Sequence, residues 1–97
     1  MSHPLFIFAE ITPKPEHFKD AQQAIISILD ETRAEAGCRS FDLFTSPAGD
    51  TLYLFEEWDN QSALDQHHDQ PYTRAVFKSY EEWLAKPPRI LPLHGVM

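Results

Sequence analysis

The chain has one cysteine, no excess of basic residues and no long apolar run, and each of these absences excludes a class of protein. Its single cysteine, Cys38, has no partner for an internal disulfide, which fits a reducing compartment. A formal net charge of -7, with only eight Lys and Arg, argues against nucleic acid or an anionic membrane as the main partner. No apolar run approaches the ~20 residues of a membrane span, and no signal-peptide pattern opens the sequence. We therefore expect a cytoplasmic protein.

Motifs of common catalytic and cofactor-binding sites are also missing. There is no G-x-G-x-x-G, P-loop or G-x-S-x-G, so nothing indicates a nucleotide, a Rossmann-bound flavin or a serine-hydrolase mechanism. The run His67, His68 and Asp69 suggests a metal cluster, but adjacent helical residues diverge and no H-x-x-x-H pair supplies two ligands on one face. Cys38 carries no motif that marks a nucleophile. We expect neither a metal nor a cofactor.

The residues that are present predict one folded domain, 1–97, with 42% apolar and 12% aromatic residues. Strand-like runs lie at 5–11, 38–45, 51–58 and 90–93, and residues recurring at three and four predict helices at 16–36, at 61–68 and from 71. Gly37 is expected to end the first helix in a left-handed conformation, and Asn60 to cap the second. Pro92 is expected to place the last strand at a sheet edge.

The order β-α-β-β-α-β is the ferredoxin-like α+β pattern, an antiparallel sheet with both helical regions on one face. The predicted strands are apolar at both parities, however, so the face without helices would expose a large apolar patch. A second copy packed sheet to sheet would cover it. The sequence therefore predicts a homodimer.

One segment resembles a known family. Residues 56–60, Glu-Glu-Trp-Asp-Asn, followed by Ala63, Leu64 and His67, are similar to a pattern of the antibiotic biosynthesis monooxygenase family. The opening strand and the segment Ala-Gly-Cys at 36–38 agree too, so the resemblance extends over nearly the whole chain. It implies a dimeric α+β barrel with a pocket between sheet and helices, near Trp58 and His67.

The family includes cofactor-free quinol and anthrone oxygenases, haem-degrading enzymes and an isomerase of a signalling sugar phosphate. Its haem-degrading branch has an asparagine near the end of the first strand and a histidine in the last helical region. Here Ala9 or Glu10 stands at the first place, and residues 72–85 contain no histidine. The resemblance to that branch is therefore weaker.

His67 is the candidate catalytic base, because an imidazole with a pKa near ~6.5 can take a phenolic proton near neutral pH. It lies one turn after Ala63 on the predicted inner face of the helix. The alternative is a histidine that packs and hydrogen-bonds without reacting. His68, about 100° round the helix, is expected to face solvent.

Three further residues are candidates, each with a structural alternative. Trp58 would stack on a planar aromatic substrate, or serve as a large core residue. Glu56, on the same strand face, would act as a base or orient His67 if buried, or pair with Arg74 or Arg89. Tyr72 would donate a hydrogen bond to a ligand oxygen, or pack in the core.

The residues and the resemblance together predict a cofactor-independent monooxygenase that oxidises an electron-rich phenol, quinol or anthrone with O2 in a dry pocket. Its partners would be a small aromatic substrate and O2. One alternative is a non-catalytic small-ligand-binding or stress-responsive dimer, with side chains filling the pocket. Another is an isomerase of a small carbonyl compound, which would use a cation such as Arg39 or Arg74. The oxygenase prediction requires Trp58 and His67 to border one cavity.

Overall fold

Four strands and two helical regions alternate in the order that the periodicity predicts. The computed structural model describes residues 3–96. Its elements are, in chain order, β1 (Leu5–Ile11), α1 (Phe18–Ser27), α2 (Leu29–Arg33), β2 (Cys38–Thr45), β3 (Leu52–Trp58), α3 (Gln61–His68), α4 (Pro71–Trp83) and β4 (Arg89–Leu93), with a 3-10 turn at Pro15–His17. Among these residues no helix has both the length and the apolar content needed to cross a bilayer.

The strands form one antiparallel sheet in the order β2-β3-β1-β4, which confirms the ferredoxin-like prediction. β1 lies between β3 and β4, with Ile7 opposite both Glu56 and Pro92. Because β4 has a neighbour on one side only, Pro92 lies at an edge, as expected from its missing N–H.

The two faces of the sheet differ in burial. Leu5, Ile7, Ala9 and Ile11 alternate along β1, and all four are buried in the core. That core includes Ala21 and Ile25 of α1 and Val76 and Tyr80 of α4, so we call this side the inner face. Phe6 and Phe8 on the opposite, outer face are half-buried.

The first helical region is shorter than predicted. It breaks at Ile28, where the backbone N–H donates to Ile25 O and φ is -109°, and it ends at Arg33 rather than at Ala36. Of the residues that recur at three and four, Ile25, Ile28 and Thr32 are buried, whereas Ala36 is exposed. Periodicity does not report this early end, since tertiary contacts of the following residues override helix propensity.

Gly37 does not have the left-handed conformation that we expected. Among the described residues only Gly49, in the β2–β3 turn, has a positive φ, of 74°. Gly37 is required for close packing instead, because a Cβ there would lie 2.3 Å from the Cβ of Ala63. The glycine thus lets α3 approach the start of β2, next to the hydrogen bond that Asp59 N–H donates to Gly37 O at 2.9 Å.

The second helical region has the predicted start. Asn60 caps α3, its side-chain oxygen accepting from Ala63 N–H at 2.9 Å. α4 begins with Pro71, as predicted, and ends at Trp83. The next residue, Leu84, is extended and forms a β-bridge with Pro13.

Candidate active site between the sheet and the helices

A cavity of about 40 Å³ lies between the inner face and the helices. Most of its wall is apolar and comes from β1, α1, β3 and α4. Its polar lining residues are Glu56, His67, His68, Thr73 and Tyr80. An apolar cavity with a few convergent polar groups is typical of a ligand site. In this conformation it is large enough for water but not for an aromatic ring, which occupies cavities of roughly 150 Å³.

His67 lies in the wall of this cavity and is only 4% exposed. Its Nδ1 lies 2.8 Å from Oε2 of Glu35, and the hydroxyl oxygen of Thr73 lies 3.5 Å from the same nitrogen. A carboxylate only accepts hydrogen bonds, so the neutral imidazole carries its proton on Nδ1 and keeps a lone pair on Nε2. Within residues 3–96 no side chain hydrogen-bonds to Nε2.

Trp58 contacts His67 directly. The two ring centroids are 4.7 Å apart with 32° between the planes, and Phe41 meets His67 edge-on at 5.5 Å. Trp58 is fully buried and does not line the cavity. The two predicted residues are therefore in contact, but the expectation that both border one cavity is wrong in this conformation, because His67 lines it and Trp58 does not.

Glu56 is buried on the same face as Trp58, as expected. Its Oε1 accepts a hydrogen bond from Trp58 Nε1 at 2.9 Å. Burial raises the pKa of Glu56 to about 7, with a smaller contribution in the same direction from Glu35, while the tryptophan N–H opposes the rise. Near neutral pH this carboxyl therefore exists in both protonation states, facing the cavity.

The expected ion pair of Glu56 with Arg74 or Arg89 is wrong. Arg89 lies opposite Glu10 in the register of β1 and β4, on the outer face of the sheet. Arg74 is exposed on α4. Glu56 points to the inner face, so neither guanidinium shares its compartment. The prediction that Glu56 orients His67 also differs from the contacts, because Glu35 is the carboxylate on that ring.

Tyr72 and His68 differ in position from what the sequence suggested. The Tyr72 hydroxyl donates to Oε2 of Glu35, the same oxygen that accepts from His67, and Tyr72 does not line the cavity. His68, expected in solvent, is half-buried in the cavity wall and meets Phe77 edge-on at 5.6 Å. Burial and the neighbouring His67 lower the pKa of His68.

Glu35 and Tyr80 are the polar residues that the sequence reading missed. Glu35 follows α2 directly, and its side chain is only 11% exposed because it turns towards His67 and Tyr72. It falls inside the helix predicted over residues 16–36, and periodicity gives no sign of its contact with His67. Tyr80 is buried in the core and also lines the cavity, and burial raises the pKa of its hydroxyl.

Other candidate groups lie away from the cavity. Arg39 pairs with Asp59 at 2.6 Å and Glu57 at 3.5 Å, and neither Arg39 nor Arg74 lines the cavity, so the cation expected for an isomerase is not placed there. Burial raises the pKa of Cys38 to about 11, which keeps its thiol protonated and unreactive near neutral pH. Residues 3–96 contain no group of three His, Cys, Asp or Glu that could hold a metal ion.

The arrangement can move a proton inside a largely apolar space. The imidazole Nε2 of His67 can accept a proton while Glu35 stabilises the resulting imidazolium, the relation that a catalytic histidine has to its orienting carboxylate. Tyr72 holds the same carboxylate from its other side. A second group that can donate or accept a proton, Glu56, is available in the wall of the same cavity.

Comparisons with known proteins agree with this fold. A sequence model of the family described as antibiotic biosynthesis monooxygenase matches residues 4–79. A relative from Mycobacterium tuberculosis, named "Putative monooxygenase Rv0793", is 37% identical over 91 residues, which are 90% of this chain and 86% of the relative. The solved structure of Rv0793 superposes with a TM-score of 0.92 at 31% identity, covering 97% of this chain and 96% of that chain. The crystal structure of PA3566 from Pseudomonas aeruginosa gives a TM-score of 0.93 at 28% identity, covering 100% of this chain and 98% of that one.

Proposed function

Because the chain belongs to the antibiotic biosynthesis monooxygenase family, we propose that it is a cofactor-independent monooxygenase of an electron-rich phenol, quinol or anthrone. The family and the name of the relative support monooxygenase-like chemistry on a small molecule. The observation that carries the finer proposal is the contact between Glu35 and Nδ1 of His67 at the wall of an apolar cavity.

In this reaction His67 is the base. Its Nε2 takes the proton of a substrate hydroxyl or of an acidic ring carbon, and the Glu35 carboxylate stabilises the imidazolium. The substrate anion then supplies electrons to O2. O2 adds to the substrate carbon as a hydroperoxide, which takes up the proton held by the His67 imidazolium. Elimination of water then breaks the O–O bond and the remaining C–H bond and leaves a carbonyl, so an anthrone CH2 becomes C=O and a phenol or quinol becomes a quinone. The substrate supplies all four electrons and both hydrogens of the water, and His67 returns to its neutral form. The apolar wall keeps bulk water away from the reactive intermediate.

Glu56, Trp58 and Tyr72 have supporting roles in the proposal. Glu56, with a pKa near 7, donates a hydrogen bond to a substrate oxygen when protonated and shuttles the proton when ionised. Trp58 forms a rigid backing for the His67 ring, and becomes a stacking surface for substrate only if that ring moves. Tyr72 positions His67 through Glu35.

We further propose that two copies pack through their outer faces. Two pairs of aromatic rings cluster there, Phe6 with Phe55 at 6.2 Å and Phe8 with Tyr53 at 5.7 Å. Exposed apolar side chains on these strands include Phe44 at 56%, Phe55 at 41% and Leu93 at 44%. Contiguous apolar surface of this kind marks an interaction site.

One observation favours the non-catalytic alternative, a small-ligand-binding dimer. The cavity of about 40 Å³ is too small for a quinol ring unless side chains move, and Trp58 is packed against His67 rather than open to a ligand. In that alternative side chains fill the space between sheet and helices, as they nearly do here, and no O2 is consumed. Oxygen uptake therefore separates the two functions.

The test measures oxygen uptake by the full chain with a panel of single-ring quinols, two-ring quinols and anthrones, without added metal or flavin, beside a haem titration. The proposal predicts uptake with at least one substrate and a product that contains one atom from labelled O2. Binding of a quinol without oxygen uptake would support the ligand-binding alternative. Tight stoichiometric haem binding with haem breakdown would contradict both functions and indicate a haem-degrading enzyme.

A further inference from the structure

A groove of about 370 Å³ adjoins the cavity at the end of α4. Three side chains, Phe77, Tyr80 and Pro88, line both spaces, so they form the partition between them. Phe77 is half-buried, and its ring meets those of His68 and Tyr80 edge-on at 5.6 Å and 5.5 Å. Because Phe77 lines both spaces, a displacement of its ring would widen the connection between them.

The opposite wall of the groove is held in place by the backbone. Lys14 N–H donates to Trp83 O at 2.8 Å, and Ala85 N–H donates to Thr12 O at 2.9 Å, which pins the extended chain after α4 to the end of β1. Pro87 and Pro88 then restrict the backbone further. The groove is therefore preformed, which lowers the entropic cost of binding.

The lining of the groove is mainly apolar. Beyond the shared residues it contains Leu84, Ala85 and Pro87, with Glu81 and Lys86 as one acidic and one basic residue. These opposite charges give no preference for an ionic ligand. The cavity alone is smaller than one aromatic ring, so a substrate whose ring enters it must displace the partition and leave its remaining atoms on the groove side.

We propose that the groove is the second part of the substrate site and binds an apolar extension of the aromatic substrate, while the reacting ring occupies the enlarged cavity. This inference rests on the proposed function for the identity of the ring. It narrows the substrate class to a phenol or quinol that carries an apolar chain. A bare single-ring quinol leaves the groove empty.

The test compares binding of hydroquinone and pentylhydroquinone by calorimetry under nitrogen, so that no turnover is needed. Burying several CH2 groups should give the pentyl compound an affinity at least about tenfold higher. Ala85→Trp, at an exposed position that lines the groove, should fill it and reduce this preference to less than about twofold. Ala75→Trp is the matched control, because Ala75 is an exposed alanine of α4 that lines a different surface depression.

The control should keep the full preference for the pentyl compound, and near-ultraviolet circular dichroism should show that both variants are folded. Equal affinity of the two quinols for the unaltered chain would overturn the inference, and so would equal effects of the two tryptophans or no binding of the pentyl compound at millimolar concentration. A preference for the pentyl compound without any oxygen uptake would support the groove as a binding site and contradict the oxygenase proposal instead.

Discussion

The two faces of the sheet are built from the same strands but differ in how their side chains are covered. On the inner face of β3, Glu56 and Trp58 are buried under the helices, and their polar atoms are satisfied by each other. On the outer face of the same strand, Tyr53 and Phe55 pack against Phe8 and Phe6 and remain partly exposed. The helices of the same chain cover the first face, whereas the second has no cover within residues 3–96. We therefore assign the proposed chemistry to the inner face and the proposed association to the outer one.

The largest effect is expected from removing the base on the inner side. His67→Gln keeps a donor for Glu35 but has no basic nitrogen, so kcat/KM for oxygen uptake should fall about 10³-fold. His94→Gln, at an exposed histidine, should leave the rate unchanged. Circular dichroism checks the fold of both variants. Uptake within about threefold of the unaltered chain would remove His67 from the mechanism.

A charge on the outer face should break the dimer and spare the fold of each subunit. Phe55→Lys places an ammonium group in the proposed interface, and the dissociation constant should rise at least about 100-fold. Ile26→Lys is the control, since Ile26 on α1 is 43% exposed and Phe55 41%. Sedimentation velocity measures the association. The same dimer fraction in both variants would contradict the assignment of this face.

Glu56, on the inner face, should make stability depend on pH. Burial raises its pKa from 4.5 to about 7, so the stability it contributes is fully present below about pH 4.5 and is lost as the pH rises through about 7. The difference in unfolding free energy between Glu56→Gln and the unaltered chain should therefore grow in favour of the variant, by on the order of 2 kcal/mol, as the pH rises through this range. Urea unfolding at pH 4.5 and 8 measures the gain, and a difference that is flat with pH would argue against burial of an ionisable carboxyl.

The smallest of these effects is expected for the residue that orients the base. Glu35→Gln keeps the size and an accepting oxygen but removes the charge that stabilises the imidazolium, so kcat should fall about tenfold with KM unchanged. Glu31→Gln, at an exposed carboxylate one turn earlier, should change neither constant. A rise in KM at constant kcat would mean that Glu35 contacts substrate instead.

Local patterns predicted the architecture because strands and helices carry their own periodicity. The order of elements, the antiparallel hairpin, the Asn60 cap and the edge position of Pro92 all follow from residues close together in sequence. The same holds for the shared face of Glu56 and Trp58, which are two positions apart on one strand.

The site was only partly predictable because its decisive contacts are distant in sequence. Glu35 and His67 are 32 residues apart, and Glu35 and Tyr72 are 37 apart, so no local period links them. Glu35 also comes just after a helix that ends earlier than its pattern suggests. Gly37 looked like a helix stop, whereas its role depends on the approach of Ala63 from a later helix.

In the proposed mechanism Glu35 holds the imidazole of His67 with its proton on Nδ1 and a free lone pair on Nε2. Nitrogen-15 chemical shifts and long-range couplings of the ring, recorded at a pH where imidazole is neutral, report the position of this proton directly. We expect the Nδ1–H tautomer for His67. An Nε2–H tautomer would contradict it, because the nitrogen assigned as the base would then carry a proton already.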